Sequence, residues 1–456
     1  MMDERGSKNP VDDSSTGPPV RLKASWADTP SPWGFPWEEL TERPEWYTLF
    51  PDQPPFNAGS LLKLRLLRKK PEDCPRVLRG SEPWPGNLLT SALARHMDQG
   101  PALSKERRAA VGADEVEEIL DGLAAGETLS NDGLEKLLAS AADPYRSRLV
   151  EQATAMTRRV FHNEILLYAP LYLSNSCTNL CVYCGFNYKN PLPRVTLSPQ
   201  EIKNEAMALA ASGIRHVLLL TGEAPKEVRV DYIENAVRIV KPHFETVSLE
   251  VYPMSTDEYA RVVQSGATGL TLYQETYDPE LYHEVHQGGR KRNLLWRLEG
   301  PERAALGGMS KIGIGSLLGL GDWRHEAMAL GLHTRALLDL FPGISITVSF
   351  PRLRQAPGGY EPPHPVEDED LIHMMAVLRL YLPQVGLVLS TRESAAFRDA
   401  IAPLLATQVS AGSMTHPGGY AASRKEEAPG RQFDIIDSRS PSEVSAYLLR
   451  QGTRII

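Results

Sequence analysis

The chain has 456 residues, 42% hydrophobic and 23% charged, with a formal net charge of −8 and a pI near 5.8. That length and apolar content suit one large core or two ordinary ones, and the acidic balance, with Lys and Arg spread along the chain, excludes the basic field that nucleic acid or an anionic membrane surface requires. No run approaches the roughly 18 apolar residues of a spanning helix, and the N-terminus MMDERGSKNPVDDSSTG lacks the apolar core of a secretory signal, so a cytoplasmic protein is expected, with no nucleic acid and no membrane as partner.

Residues 1–60 hold ten of the 36 prolines and four of the seven tryptophans, Trp26, Trp33, Trp37 and Trp46. Such a composition forms helix and strand poorly and reads as a loosely ordered extension, while the tryptophans suggest that part of it clamps onto a surface. Residues 61–104 add a short basic amphipathic piece broken by prolines, to which no chemistry attaches, so 1–104 reads as a Pro/Trp-rich extension of unknown role. Helical periodicity follows in VEEILDGLA, in LSNDGLEKLLASA, where Ser130 or Asn131 can cap a helix, and in DPYRSRLVEQATAMTRRVF. Residues 105–162 are therefore read as helices packing on the unit that follows.

From there short, β-branched apolar runs recur at 165–174, 216–221, 246–252, 268–274, 311–318, 344–350, 386–390 and 407–412, separated by amphipathic segments such as PQEIKNEAMALAASG and DEDLIHMMAVLRLYL. Strands apolar on both faces that alternate with helices imply a parallel sheet, and eight repeats close a (β/α)8 barrel of the TIM type. The barrel is placed at 163–440 and a C-terminal helix and tail at 441–456. Barrel chemistry sits at the C-terminal ends of strands, which marks Asn175 to Cys184, Thr221-Gly222-Glu223, Tyr252-Pro253, Gln274-Glu275-Thr276, Gly319, Pro351-Arg352, Thr391-Arg392-Glu393 and Ser413.

The first of these loops, SNSCTNLCVYCGFN, packs Cys177, Cys181 and Cys184 into eight residues as C-x3-C-x2-C, and Cys74 is the only other cysteine. A structural zinc takes four closed ligands, and neither a fourth cysteine nor a histidine lies near. A [4Fe–4S] cluster held by three thiolates keeps one iron open for a small molecule.

On CTNLCVYC at this place, the chain resembles the radical S-adenosylmethionine (SAM) enzymes. The resemblance implies a [4Fe–4S] cluster on Cys177, Cys181 and Cys184 whose open iron holds SAM, and reductive cleavage of SAM to a 5′-deoxyadenosyl radical. It also implies Tyr183 beside the adenine, Gly222 and Glu223 in a GGE-like element that receives the SAM ammonium, Glu275 on the ribose, Arg297 on the SAM carboxylate, and Gly313 and Gly315 where backbone approaches the adenine. The blocks YAPLYLSNSCTNLCVYCGFNYKN, LLLTGEAP, YQETYDPELYHEVH, SFPRLRQAPGG, STRESAAFRD and HPGGYA are further similar to the 2-iminoacetate synthase (ThiH) family of tyrosine lyases of thiamine thiazole biosynthesis, over about residues 130–440. No counterpart is recognised for the first hundred or so residues, and the tail ending GTRII is short for that family.

This second resemblance implies cleavage of the Cα–Cβ bond of L-tyrosine to 2-iminoacetate (dehydroglycine) and p-cresol, delivery of the glycine imine to the thiazole synthase ThiG, and flavodoxin or ferredoxin as reductant. A HydG-like lyase would use a second cluster on C-terminal cysteines, and the chain has none after Cys184; an aromatic lyase acting on tryptophan is the other alternative. An amino-acid substrate needs a cation for its carboxylate. Arg352 is the first candidate, with Ser349 beside it, then Arg354 and Arg392; Arg392 with Glu393 could instead form a structural ion pair. Tyr252, Glu250 and Tyr273 are equal candidates for the phenol.

Overall fold

Eight parallel strands close on themselves in the computed structural model, which describes residues 92–421 and 430–456. They are β1 (Glu164–Ser174), β2 (His216–Thr221), β3 (Thr246–Glu250), β4 (Gly269–Thr271), β5 (Lys311–Gly315), β6 (Ser345–Ser349), β7 (Gly386–Leu389) and β8 (Gln408–Ser410). Each pairs in parallel with the next, and β8 returns to β1 through Leu166↔Gln408. The expected barrel is therefore present, with every strand in its predicted place but most of them shorter. The extension expected over 1–60, its tryptophans and Cys74 lie outside the described residues.

The alternation of side chains along a strand separates two environments. On β3, Val247 and Leu249 are fully buried in the main core under the helices, whereas Ser248 and Glu250 line cavities inside the barrel. Leu218 and Leu220 of β2 likewise point inward and pack with Tyr172 and Phe186 into a small apolar cluster against Cys177 and Cys184. Barrel helices start on side-chain caps: Ser198 with Glu201, Ser255 with Glu258 and Ser440 with Glu443 form reciprocal capping boxes that satisfy otherwise orphaned N–H groups. Ser130 caps the helix Asn131–Leu137 by accepting from Gly133 N.

Two features were not read from the sequence. The helix Ala94–Ala109, kinked at Gly100 ahead of Pro101, crosses the 104/105 boundary drawn for the extension. Ala94 and Met97 are buried, His96 stacks on His325 with ring centroids 4.2 Å apart, and Arg108 pairs with Asp322 at 2.6 Å. A ninth strand, β9 (Arg454–Ile455), follows the helix Pro441–Arg450 and pairs with the start of β1.

Candidate active site

The cysteine loop leaves the end of β1 and folds back over the barrel mouth, and polar groups other than the thiols set its shape. The Arg194 guanidinium donates to the carbonyls of Asn175, Phe186 and Asn187 at 2.8, 2.9 and 2.7 Å, gathering three turns of the loop on one hub. Asn175 accepts from Val195 N at 2.7 Å, and the amides of Asn187 and Asn190 donate to Cys181 O and Gly185 O, each at 2.9 Å. Gly222, after β2, lies so close that a Cβ there would stand 2.2 Å from Ser176 O, so only glycine brings this strand end against the loop.

Cys177, Cys181 and Cys184 are free thiols, Cys181 buried and the other two half-buried. Burial raises Cys177 to about 11, with Cys184 adding to the rise; it raises Cys181 and Cys184 as well, against the pull of Lys291. Thiols raised in this way are protonated at neutral pH, and a coordinating metal cation draws off their protons. Among the described residues no three His, Cys, Asp or Glu side chains converge as one metal ion needs, whereas a [4Fe–4S] cluster places each thiolate on a different iron and needs no such convergence. The donor set fits the cluster. Gln432, unforeseen, donates to Cys184 Sγ at 3.8 Å.

Beside the loop lies the patch expected to hold SAM. Glu223 Oε2 accepts from Asn179 Nδ2 at 2.8 Å. Glu275 sits at φ 72°, rare for a residue with a side chain, and accepts from Lys291 Nζ at 2.6 Å, with Arg297 Nη2 3.5 Å away. Arg297 also donates to Tyr273 O. His286 is completely buried and held neutral by burial; its Nδ1 lies 2.7 Å from Tyr282 O and therefore donates, so Nε2 accepts from the Tyr183 hydroxyl at 2.7 Å. Tyr183, Glu275 and Lys291 all line a cavity of ≈ 500 Å³, counted to its solvent-open mouth, together with Cys184, Glu250, Tyr273, Arg354, Arg392, Gln432 and Phe433. Lys291 was missed in the sequence; its signal was the double glycine Gly288-Gly289 just before it, the mark of a close backbone approach. Gly315 does not line this cavity. A Cβ on it would meet Ser349 O at 2.6 Å and the Tyr273 ring at 2.9 Å, so this glycine serves the packing of β5 against its neighbours.

The arginines divide differently from expectation. Arg352 lies outside the cavity lining: its Nε donates to Glu393 Oε2 at 2.9 Å, Nη2 also reaches Glu393 and meets Asp368 at 2.7 Å, and Nη1 donates to Val366 O at 3.0 Å. Arg354 is also on Glu393, at 2.7 Å. The structural ion pair foreseen for Arg392 and Glu393 thus belongs to Arg352 and Arg354. Arg392 instead lines the cavity, stacked on Phe433 at 3.4 Å and without a carboxylate partner among the described residues. Ser349 faces the Tyr273 hydroxyl deeper in the barrel, where both line a second cavity below the first. Tyr252 leaves the site altogether and donates to Val228 O at 2.7 Å.

A family model described as Radical SAM superfamily matches residues 171–330, and one described as Biotin and Thiamin Synthesis associated domain matches residues 349–454. The 2-iminoacetate synthase of Escherichia coli (strain K12) is 40% identical over 325 residues, 71% of this chain and 85% of that protein. Among solved structures, the FeFe-hydrogenase maturase HydG from Carboxydothermus hydrogenoformans aligns with a TM-score of 0.71 and 32% identity, covering 81% of this chain and 84% of that one. Methylornithine synthase (PylB) aligns with a TM-score of 0.61 at 22% identity over 74% of this chain and 97% of that one, a likeness of fold. With the barrel closed, three free thiols at the end of its first strand and a cavity against them, the identity over most of a 2-iminoacetate synthase decides the family: this chain belongs to the 2-iminoacetate synthases of the radical SAM superfamily.

Proposed function

We propose that this enzyme, a radical SAM carbon–carbon lyase, cleaves the Cα–Cβ bond of L-tyrosine to 2-iminoacetate and p-cresol. The carrying observation is the 40% identity to a 2-iminoacetate synthase over 85% of its length. When bound, the [4Fe–4S] cluster and SAM supply the one-electron chemistry that abstracts hydrogen from the substrate and yields methionine and 5′-deoxyadenosine. Cys177, Cys181 and Cys184 hold the cluster. Tyr183, Gly222, Glu223, Glu275 and Arg297, with Lys291, hold SAM against it.

The protein's own part is to place the amino acid and keep water away. Arg392 is the cavity cation with no carboxylate already on it, so it receives the substrate carboxylate as a paired donor, in preference to Arg352. The apolar wall of Tyr172, Phe186, Leu218 and Leu220 keeps the space below the cysteines dry. The imine, which water hydrolyses, goes to a thiazole synthase of the ThiG kind, and flavodoxin or ferredoxin supplies the electron. Free thiols in a cluster site require a reducing compartment, and among the described residues no helix is long and apolar enough to cross a membrane; we place the enzyme in the cytoplasm.

The test is anaerobic. The protein is reconstituted with iron and sulfide, supplied with SAM, reductant and tyrosine, and its products are analysed by mass spectrometry. p-Cresol with glyoxylate, the hydrolysis product of the imine, supports the reading. CO or cyanide among the products redirects it to the HydG reaction, and SAM cleavage with tyrosine intact removes tyrosine as substrate.

A further inference from the structure

The cavity under the cysteine loop is lined by two carboxylates. Glu275 is committed to Lys291 at 2.6 Å. Glu250, the last residue of β3, points inward by strand alternation and has neither ion pair nor hydrogen bond among the described residues. Burial raises its carboxyl to about 7, with Glu275 adding to the rise and Arg392, Lys291 and Arg297 opposing it. A half-buried carboxyl that faces a cavity and has no protein partner is free to meet a ligand there.

Its place in the ring says which part of the ligand. Around the barrel, β3 and β7 are four strands apart in a ring of eight, so Glu250 and Arg392, which follows β7, stand on opposite walls. No ion pair joins them. In tyrosine the carboxylate and the phenolic hydroxyl lie at opposite ends of the molecule with the rigid ring between them, while the ammonium shares Cα with the carboxylate. A substrate anchored on Arg392 therefore presents its hydroxyl, and not its ammonium, to the β3 wall. The neighbouring phenols are already engaged: Tyr172 donates to Gln432 at 2.6 Å and Tyr273 faces Ser349.

Resting on the tyrosine lyase reading, we infer that Glu250 accepts the phenolic O–H of the substrate and sets the preference for tyrosine over amino acids that lack that hydroxyl. A site built around a hydroxyl rejects the analogue without it, because its own buried polar group is then left unpaired.

The experiment compares L-tyrosine, L-phenylalanine and 4-methoxy-L-phenylalanine in the cluster-loaded wild type, E250Q and E250A, reading substrate cleavage and 5′-deoxyadenosine separately. The wild type favours tyrosine over phenylalanine by about 100-fold or more in kcat/KM. E250Q, whose amide oxygen still accepts, keeps most of that ratio. E250A loses about 10- to 100-fold of it, chiefly through the KM for tyrosine, and gains tolerance of the methoxy analogue, while SAM cleavage without substrate persists. Should E250A fail to load its cluster, E250M, which keeps the volume, is read in its place. Discrimination unchanged in the alanine or methionine variant, or absent in the wild type, overturns the assignment. If the wild type forms no p-cresol, the lyase reading itself falls; if p-cresol forms and the variants discriminate as before, only the role of Glu250 falls.

Discussion

Arg352 and Arg392 stand at the ends of adjacent strands, and what separates their roles is the carboxylate each meets. Arg352 is tied to Glu393, which is nearly fully buried, so removing it leaves that charge with Arg354 alone. Arg352→Met is expected to lower unfolding stability by about 3 kcal/mol in a denaturant titration of the metal-free protein. Arg392→Lys keeps the fold and the charge but loses the paired donors; the KM for tyrosine is expected to rise at least about tenfold, with SAM cleavage in the absence of substrate retained. Equal melting curves for R352M and wild type, or an unchanged KM for R392K, contradict the division. At this scale the sequence revealed the cysteines and the carboxylates at strand ends, because local spacing carries them. It placed SFPRLR ahead of STRE, and the contacts favour the opposite order, because the outcome depends on which arginine Glu393 captures and Arg352 lies 41 residues away along the chain. Gln432 is further still from the cysteine it touches, and no local pattern marks it.

Whole elements were easier to read than their ends. The run 268–274 reads as one strand, yet β4 covers only Gly269–Thr271; beyond it the chain still bonds to β5, Leu272 N to Gly313 O at 2.8 Å and Gln274 N to Gly315 O at 2.9 Å, while Tyr273 and Glu275 line the cavity. The N-terminal helix shows the reverse: its pattern is weak, and its position comes from contacts made over 200 residues away. Burial lowers His96 to about 4 and His325 to about 2, with Arg107 and Arg108 pushing the same way and Asp322 opposing at His96. Both rings are neutral where they stack. In the unfolded chain they take up protons near pH 6.5, so from that pH downward the unfolded form binds more protons and this docking loses stability, progressively to about pH 4 for His96. Hydrogen exchange of 94–109 is therefore expected to accelerate relative to the barrel strands between pH 7 and 4.5, and the double variant H96F/H325F to remove that difference. Exchange of the helix that tracks the barrel at every pH argues against it.

Across the whole molecule, the barrel closes through β8 and β1, and β9 then covers the start of β1 with three main-chain hydrogen bonds, Arg454 N to Asn163 O at 2.9 Å, Ile456 N to Ile165 O at 3.0 Å and Leu167 N to Ile456 O at 3.1 Å. A two-residue strand has no periodicity to read, which is why this strap was missed while the eightfold alternation was plain. Deleting residues 451–456 is expected to cost about 2–3 kcal/mol and lower the melting temperature by several degrees, measured by circular dichroism, while leaving cluster content unchanged because the loss is at the opposite end of the barrel; a variant that melts like wild type counts against the strap. The Arg194 hub has a consequence at the cluster end. Three carbonyls of the ligand loop are drawn together by one guanidinium, so much of the ordering of that loop rests on a single side chain. That arginine is thus the keystone of the ligand loop: Arg194→Met is expected to retain less iron and sulfide than wild type after reconstitution, measured by iron and sulfide analysis, and equal cluster content in the two proteins counts against it.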